Sequence, residues 1–259
     1  MTQGVDAQIG PPDMSVERGG FYKLSAVAGL SESQLWAVGW NSLVRFDGAG
    51  WVLEHSFPAD QEWTRLEAGE SAIYGIGHLC NLLEIRDKLH VVHTIPNTCH
   101  LHDLSIISDG DVWLAGGDAT DKKSHIVRWK DGKSQDVVVP DVGQITAIYM
   151  NNDLTGWAFG PRGILKGADG EWKIHQPGLL NQYSIRAIDA SSPNDIWAVG
   201  GTSMFDSDNV QLILHYDGQQ WSVWRQWDRH HEGSHRRLND IAMFDDGTGW
   251  AVGDGFDIF

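Results

Sequence analysis

One short motif recurs along this chain: an aromatic residue, two small or apolar residues, then glycine. It reads WAVG at Trp36, YGIG at Tyr74, WLAG at Trp113, WAFG at Trp157, and WAVG again at Trp197 and Trp250. The motif glycines, Gly39, Gly77, Gly116, Gly160, Gly200 and Gly253, are separated by steps of 38, 39, 44, 40 and 53 residues. A unit of that size cannot bury its own faces, so repeated units must stack on one another, and the period sets the whole architecture.

A second register lies upstream of each aromatic. Twelve positions before it stand Leu24, Leu101, Ile145, Ile185 and Leu238 in the tryptophan copies, and nine before it Val27, Leu104, Ile148, Ile188 and Ile241. The tyrosine copy is one residue shorter and fits with Leu66. Downstream come the aliphatic runs SLVRF, NLLEI, HIVRW, GILK and LILHY, closed by turns at Asp47-Gly48, Asp87-Lys88, Asp131-Gly132, Asp169-Gly170 and Asp217-Gly218. Asp-Gly between apolar runs signals a hairpin, because glycine accepts the positive φ of a tight primed turn. A fourth run follows, opened by Trp51, Trp172 and Trp221 in three copies. Each unit therefore reads as four antiparallel strands, A to D, and radial repetition of such units is a β-propeller. The motif tryptophans are expected to fill the wedges between blades, with Trp113, Trp157 and Trp197 almost fully buried.

The expected fold is all-β: a propeller of four-stranded antiparallel blades, six in number, with an incomplete last blade. After Gly253 only a short run remains for a third strand and none for a fourth. Residues 1–20 are read as an amino-terminal extension and residues 21–259 as a single propeller domain. The run from Val5 to Ile9, interrupted afterwards by Gly10, Pro11 and Pro12, is the candidate ring-closing strand.

The WAVG…ILHYDGQQW pattern resembles bacterial propellers grouped with BNR repeats and photosystem II assembly factor-like, WD-repeat-like proteins, over nearly the whole chain from Phe21. The resemblance implies the propeller and leaves function open, since this architecture hosts unrelated activities. The turn GADGEW near Asp169 resembles the Asp-box of sialidases, with Gly167 in place of the initial serine. No catalytic residue is carried over from that family.

Thirty-five acidic against nineteen basic side chains give a formal charge of −16. That field repels nucleic acid and anionic membranes, so neither is expected as a partner. The first twenty residues contain no apolar run that would read as a signal peptide or anchor, which makes the cytoplasm the default expectation. Two cysteines, Cys80 and Cys99, are too few for a disulfide framework, and a single bridge between them stays open.

In a four-stranded blade the B-to-C loops and D-to-A connections share one face of the disc. The longer connections at residues 117–124, 201–209 and 226–237 all fall there, which marks it as the binding face. Trp40, Trp63 and Trp227 lie in or beside these connections and are candidate anchors for a protein or a sugar ring. The first residues of strand A reach the channel mouth on the same face. There Arg65, His102, Asp103, Arg186, Asn239 and Asp240 could converge on a small polar ligand, or simply bond backbone amides between blades. Two histidine clusters, one with His78, Cys80, Cys99, His100 and His102 and one with His230, His231 and His235, match no zinc signature. No metal and no cofactor is expected. The functional expectation is a non-catalytic scaffold for protein–protein interaction. A glycan-binding propeller is the alternative, and a glycoside hydrolase or lyase would need a carboxylate pair or an arginine cluster with a nucleophile, which the mouth does not supply as a recognisable set.

Overall fold

A computed structural model describes residues 23–77, 80–96, 100–117, 122–152, 154–177, 179–180, 183–202, 210–228 and 237–254. Every regular element among them is a strand. Blade 1 comprises β1 (Leu24–Ser31), β2 (Gln34–Gly39), β3 (Ser42–Phe46) and β4 (Trp51–Ser56), and blade 2 comprises β5 (Trp63–Ala68), β6 (Ile73–Gly77), β7 (Asn81–Arg86) and β8 (Leu89–Thr94). Blade 3 holds β9 (His100–Ser108), β10 (Asp111–Gly117), β11 (Ser124–Lys130) and β12 (Lys133–Val137). Blade 4 holds β13 (Ala147–Met150), β14 (Gly156–Gly160), β15 (Gly163–Ala168) and β16 (Glu171–Pro177). Blade 5 holds β17 (Tyr183–Ser192), β18 (Asp195–Thr202), β19 (Val210–Tyr216) and β20 (Trp221–Asp228), and blade 6 contributes β21 (Leu238–Met243) and β22 (Gly249–Gly253). Blades 1 to 5 are four-stranded antiparallel sheets in A-B-C-D order, and blade 6 is two-stranded among the described residues. The chain is a β-propeller, as its repeat requires.

The motif aromatic of each of blades 1 to 5 points at the next blade. Trp36 packs with Ile73, Leu83 and Ile85 of blade 2, Tyr74 with Val112 and Val127 of blade 3, and Trp113 with Ile148 and Leu165 of blade 4. Trp157 meets Ile196 and Tyr216 of blade 5, and Trp197 flanks the cluster formed with Leu238 and Ala251 of blade 6. Consecutive residues of a strand face opposite sides, so the residues on either side of each aromatic serve the preceding blade. This explains why the repeat is apolar at adjacent positions rather than in simple alternation.

Burial of the aromatics is graded. Trp36, Tyr74, Trp113 and Trp157 are 2, 0, 5 and 1 % exposed. Trp197 is only half-buried, contrary to the sequence expectation. The blade it faces offers two strands among the described residues, so its outer edge stacks instead on His215, with centroids 4.1 Å apart, while its indole N–H donates to Asp195.

The motif glycine has a steric cause inside its own blade. A Cβ at Gly116 would collide with the carbonyl oxygen of His100, and one at Gly253 with that of Arg237, where strand A enters beside strand B. Two turn types close the C and D strands. Asp131-Gly132 and Asp169-Gly170 have both residues at positive φ, as a two-residue primed turn demands. At Asp47 and Asp217 the loop is wider than the tight turn expected from sequence: each carboxylate accepts the backbone N–H groups two and three residues on.

No helix among the described residues is long and apolar enough to cross a membrane. Truncation of Trp157 to alanine is expected to destabilise the fold by roughly 3 to 5 kcal/mol through lost contact and an unfilled cavity. Trp40→Ala, on a side chain that is 59 % exposed, should stay within about 0.5 kcal/mol of wild type. Chemical denaturation of both variants checks the contrast, and equal midpoints would contradict the wedge role.

Candidate functional site: the channel mouth

Strand A of each blade lines the central channel, and the ladder between A and B breaks at one recurrent place. Register shifts interrupt pairing between Leu24 and Ala26, between Trp63 and Arg65, beside Leu101, between Ile185 and Ala187, and between Leu238 and Asp240. The residue skipped is Ser25, Thr64, His102, Arg186 or Asn239, and Thr146 holds the same place just before β13. A bulge re-aims the side chain it carries. All six of these residues line one cavity of about 670 Å³ at the mouth on the face of the B-to-C and D-to-A connections.

Below them the channel is bridged by Arg65. Its Nε donates to the His102 carbonyl at 3.1 Å and stands 3.2 Å from the Asp103 carboxylate, and its Nη2 donates to the Arg186 carbonyl across the channel. This side chain separates the mouth cavity from a second one of about 430 Å³, lined by Glu67, Asp103, Ser105, Tyr149 and Asp189 among others. Asp240 borders both.

The polar groups of the lower cavity hold the blades together. The inner edge of strand A has no strand beyond it, so its outward N–H groups need other acceptors. Asp103 and Ser105 of blade 3 accept from Ile148 and Met150 of blade 4, at 2.8 and 3.1 Å. Glu67 of blade 2 accepts from Ile106 of blade 3 at 3.3 Å, and Asp189 of blade 5 from Met243 of blade 6 at 2.7 Å. Blades 2, 3 and 5 thus latch the backbone of blades 3, 4 and 6. Burial pushes the Asp103 carboxyl up to about 6, against the pull of Arg65 and of its backbone donors. Glu67, enclosed by the channel walls although cavity water can touch it, is pushed up to about 8 by burial and by the neighbouring Asp103 charge.

Of the residues singled out from sequence, Arg65, His102, Arg186, Asn239 and Asp240 meet at the mouth cavity. Asp103 faces the lower cavity and is nearly fully buried. Asn239 donates to Asp254 at 2.7 Å. Burial, with the Arg237 charge beside it, holds the Arg186 guanidinium below its ordinary value, and its Nε is buried without a hydrogen-bond partner among the described residues. Trp63 requires a correction. It is 0 % exposed and packs on Phe57 at 5.0 Å within the cluster between blades 1 and 2. It pairs with Gly77 as Leu101 pairs with Gly116, so it is the shorter copy's version of the apolar residue that opens strand A, not an anchor. Trp40 is exposed at the turn after β2, on the mouth's face. Trp227 is the penultimate residue of β20, and its side chain lies outside the described residues, as do residues 203–209 and 229–236 and His78 and Cys99. Glu67, Ser105, Tyr149 and Asp189 were not singled out from sequence. Their signal is a polar residue seven or eight positions before the motif aromatic, inside an otherwise apolar strand.

No family model matches the chain, and no curated protein matches it in sequence. Solved structures do match it in shape. A catalytically inactive virginiamycin B lyase from Staphylococcus aureus, solved with quinupristin, superposes with a TM-score of 0.69 at 16 % identity, covering 93 % of this chain and 80 % of that one. YCF48 from Cyanidioschyzon merolae gives 0.54 at 12 % identity over 91 % and 94 %, and the WD40 β-propeller domain of Doa1 gives 0.53 at 10 % identity over 90 % of each. Similarity at this level shows the fold alone.

A carboxyl whose folded pKa stands above its unfolded one favours the folded state at low pH. For Glu67 that contribution is complete below about 4.5 and is lost as the pH climbs through about 8. Thermal melts should therefore show stability declining from pH 5 to pH 8.5, with a shallower decline in Glu67→Gln. An identical slope in that variant would contradict the burial of this group.

Proposed function

We propose that the protein is a non-catalytic binding scaffold that receives a partner protein on the face of the channel mouth. The observation that carries this reading is the ring of strand-A residues lining the mouth cavity, one from each blade, five of them at bulges. A bulge repeated in five blades at the rim of a cavity is how a regular scaffold presents irregular side chains. The six positions differ from blade to blade, as Ser25, Thr64, His102, Thr146, Arg186 and Asn239, while the strands beneath them repeat. A surface that varies over a constant frame favours specific recognition.

Two features favour recognition over chemistry. Asp103 and Arg65, the groups with the most chemical potential, are occupied with each other and with backbone donors and acceptors between blades. Arg186, in contrast, lines the mouth cavity, and a guanidinium there suits a partner's carbonyl or carboxylate. Trp40 on the same face offers a rigid apolar contact. The glycan reading loses support with Trp63, because a sugar platform built from that side chain would have to sit inside the seam between blades 1 and 2.

Affinity capture with the full chain and with Arg186→Gln and Trp40→Ala should return a protein whose recovery falls at least tenfold in either variant, at unchanged melting temperature. A charge change on the opposite face, Lys133→Glu beside the C-to-D turn of blade 3, should leave recovery intact. Equal recovery with all variants would move the site elsewhere. Binding on a glycan array that Trp40→Ala abolishes would replace the scaffold by the carbohydrate reading.

A further inference from the structure

Histidine faces histidine at the outer rim of the seam between blades 1 and 2. His55 lies on β4 opposite Leu43, which belongs to the apolar cluster filling this seam, so His55 turns toward blade 2. His90 lies on β8 opposite Ile85 of the same cluster and turns toward blade 1. The two ring centroids stand 4.5 Å apart, with the planes at 52°. Phe57 forms an apolar floor, 4.7 Å from His55 and 6.2 Å from His90, and rests in turn on the buried Trp63. The pair is open to water, since His55 is exposed and His90 half-buried.

Among the described residues neither imidazole makes a hydrogen bond or an ion pair, only ring contacts. Three other strand histidines are each held by a carboxylate: His93 by Glu84 at 3.0 Å, His125 by Asp136 at 3.2 Å and His215 by Asp195 at 2.6 Å. The planes of His55 and His90 are too far from parallel for face-to-face stacking, and imidazole nitrogens without a protein partner are metal ligands. Their spacing fits a shared ion. A metal ~2.05 Å from a ring nitrogen stands ~3.2 Å from that ring's centroid, so two rings at right angles about one ion have centroids ~4.5 Å apart, against ~5.2 Å at the tetrahedral angle. Right-angled positions belong to tetragonal and octahedral ions such as Cu²⁺ and Ni²⁺ rather than to zinc.

We propose that His55 and His90 together bind one divalent transition-metal ion of the copper(II) or nickel(II) class across the seam between blades 1 and 2. Strands β4 and β8 belong to different sheets and share no ladder, so an ion with one ligand from each is a staple between blades. No third histidine, cysteine or carboxylate joins them in a three-ligand group among the described residues, and water completes the coordination shell. Glu54, whose charge reaches His90, is paired with Arg45 at 2.6 Å. Attraction therefore comes from the imidazole nitrogens and from the overall charge of −16. Neither histidine lines the mouth cavity, so the metal site stands apart from the scaffold reading. In sequence the two are 35 residues apart and match no ligand spacing. The fold brings them together because each sits on the outermost strand of its blade.

Titration of the untagged full chain with Cu²⁺, followed by NMR, tests this at both ligands. Paramagnetic broadening should remove the amide signals of Leu43, His55, Ile85 and His90 with the first equivalent. Electron paramagnetic resonance of that equivalent should show coupling to two ring nitrogens. His55→Gln and His90→Gln, with no metal added, are expected to melt within about 1 °C of wild type, because both are surface changes. Each should weaken copper binding at this site at least tenfold, whereas His125→Gln on blade 3 leaves it unchanged. Broadening that begins elsewhere while the four amides keep their intensity overturns the proposal. So does an affinity that only one of the two variants lowers, which reduces the pair to a single imidazole and removes the staple.

Discussion

The structure depends on one repeated contact: the aromatic residue of strand B in one blade set against the aliphatic residues of the next. Each such wedge removes a large apolar surface from water on both sides at once, which is the dominant favourable term in folding. A four-stranded sheet alone has two apolar faces and no core, so a blade is stable only between neighbours. The period of the sequence, the two-sided apolarity of its C strands and the small residues after the aromatic are all consequences of that contact. Where the neighbour is whole, as for Trp157, the ring is sealed from water, and where it is partial, as for Trp197, the side chain finds a histidine and an aspartate instead.

The polar interior follows from the same geometry. Strand A must face the channel, and its inner edge leaves backbone N–H groups without a strand partner. Side chains of the preceding blade fill that need through Glu67, Asp103, Ser105 and Asp189. Buried polar groups are tolerable only when hydrogen-bonded, and these are. The cost is visible in the carboxyls of Glu67 and Asp103, both pushed well up by burial. The lower channel is therefore committed to holding blades together.

How much was legible in the sequence depends on whether a feature repeats. The fold and the wedge tryptophans were readable because Trp36, Trp113 and Trp157 recur in one frame. The residues of the mouth were readable as a ring, since Ser25, His102, Thr146, Arg186 and Asn239 fall eleven positions before the aromatic and Thr64 ten before it in the shortened copy. The bulge at five of them was not, because a register shift depends on pairing partners and not on residue type. Trp63 misled because it is a bulky residue in a copy shortened by one, which disguises an ordinary core position as a loop tryptophan. The latches escaped notice because a carboxylate such as Asp189 has no sequence mark that tells a backbone acceptor from a solvated side chain.

If the inter-blade wedge and its latches hold the ring, amides on the inner edge of strand A are protected without any strand beside them. Residue-resolved hydrogen exchange on the native protein measures this directly. The amides of Ile148 and Met150, bonded to Asp103 and Ser105 across the blade boundary, should exchange as slowly as ladder-bonded amides of β14, and Asp103→Ala should release Ile148 by at least tenfold. Exchange of both amides at the rate of open strand edges in the wild-type protein would contradict the account.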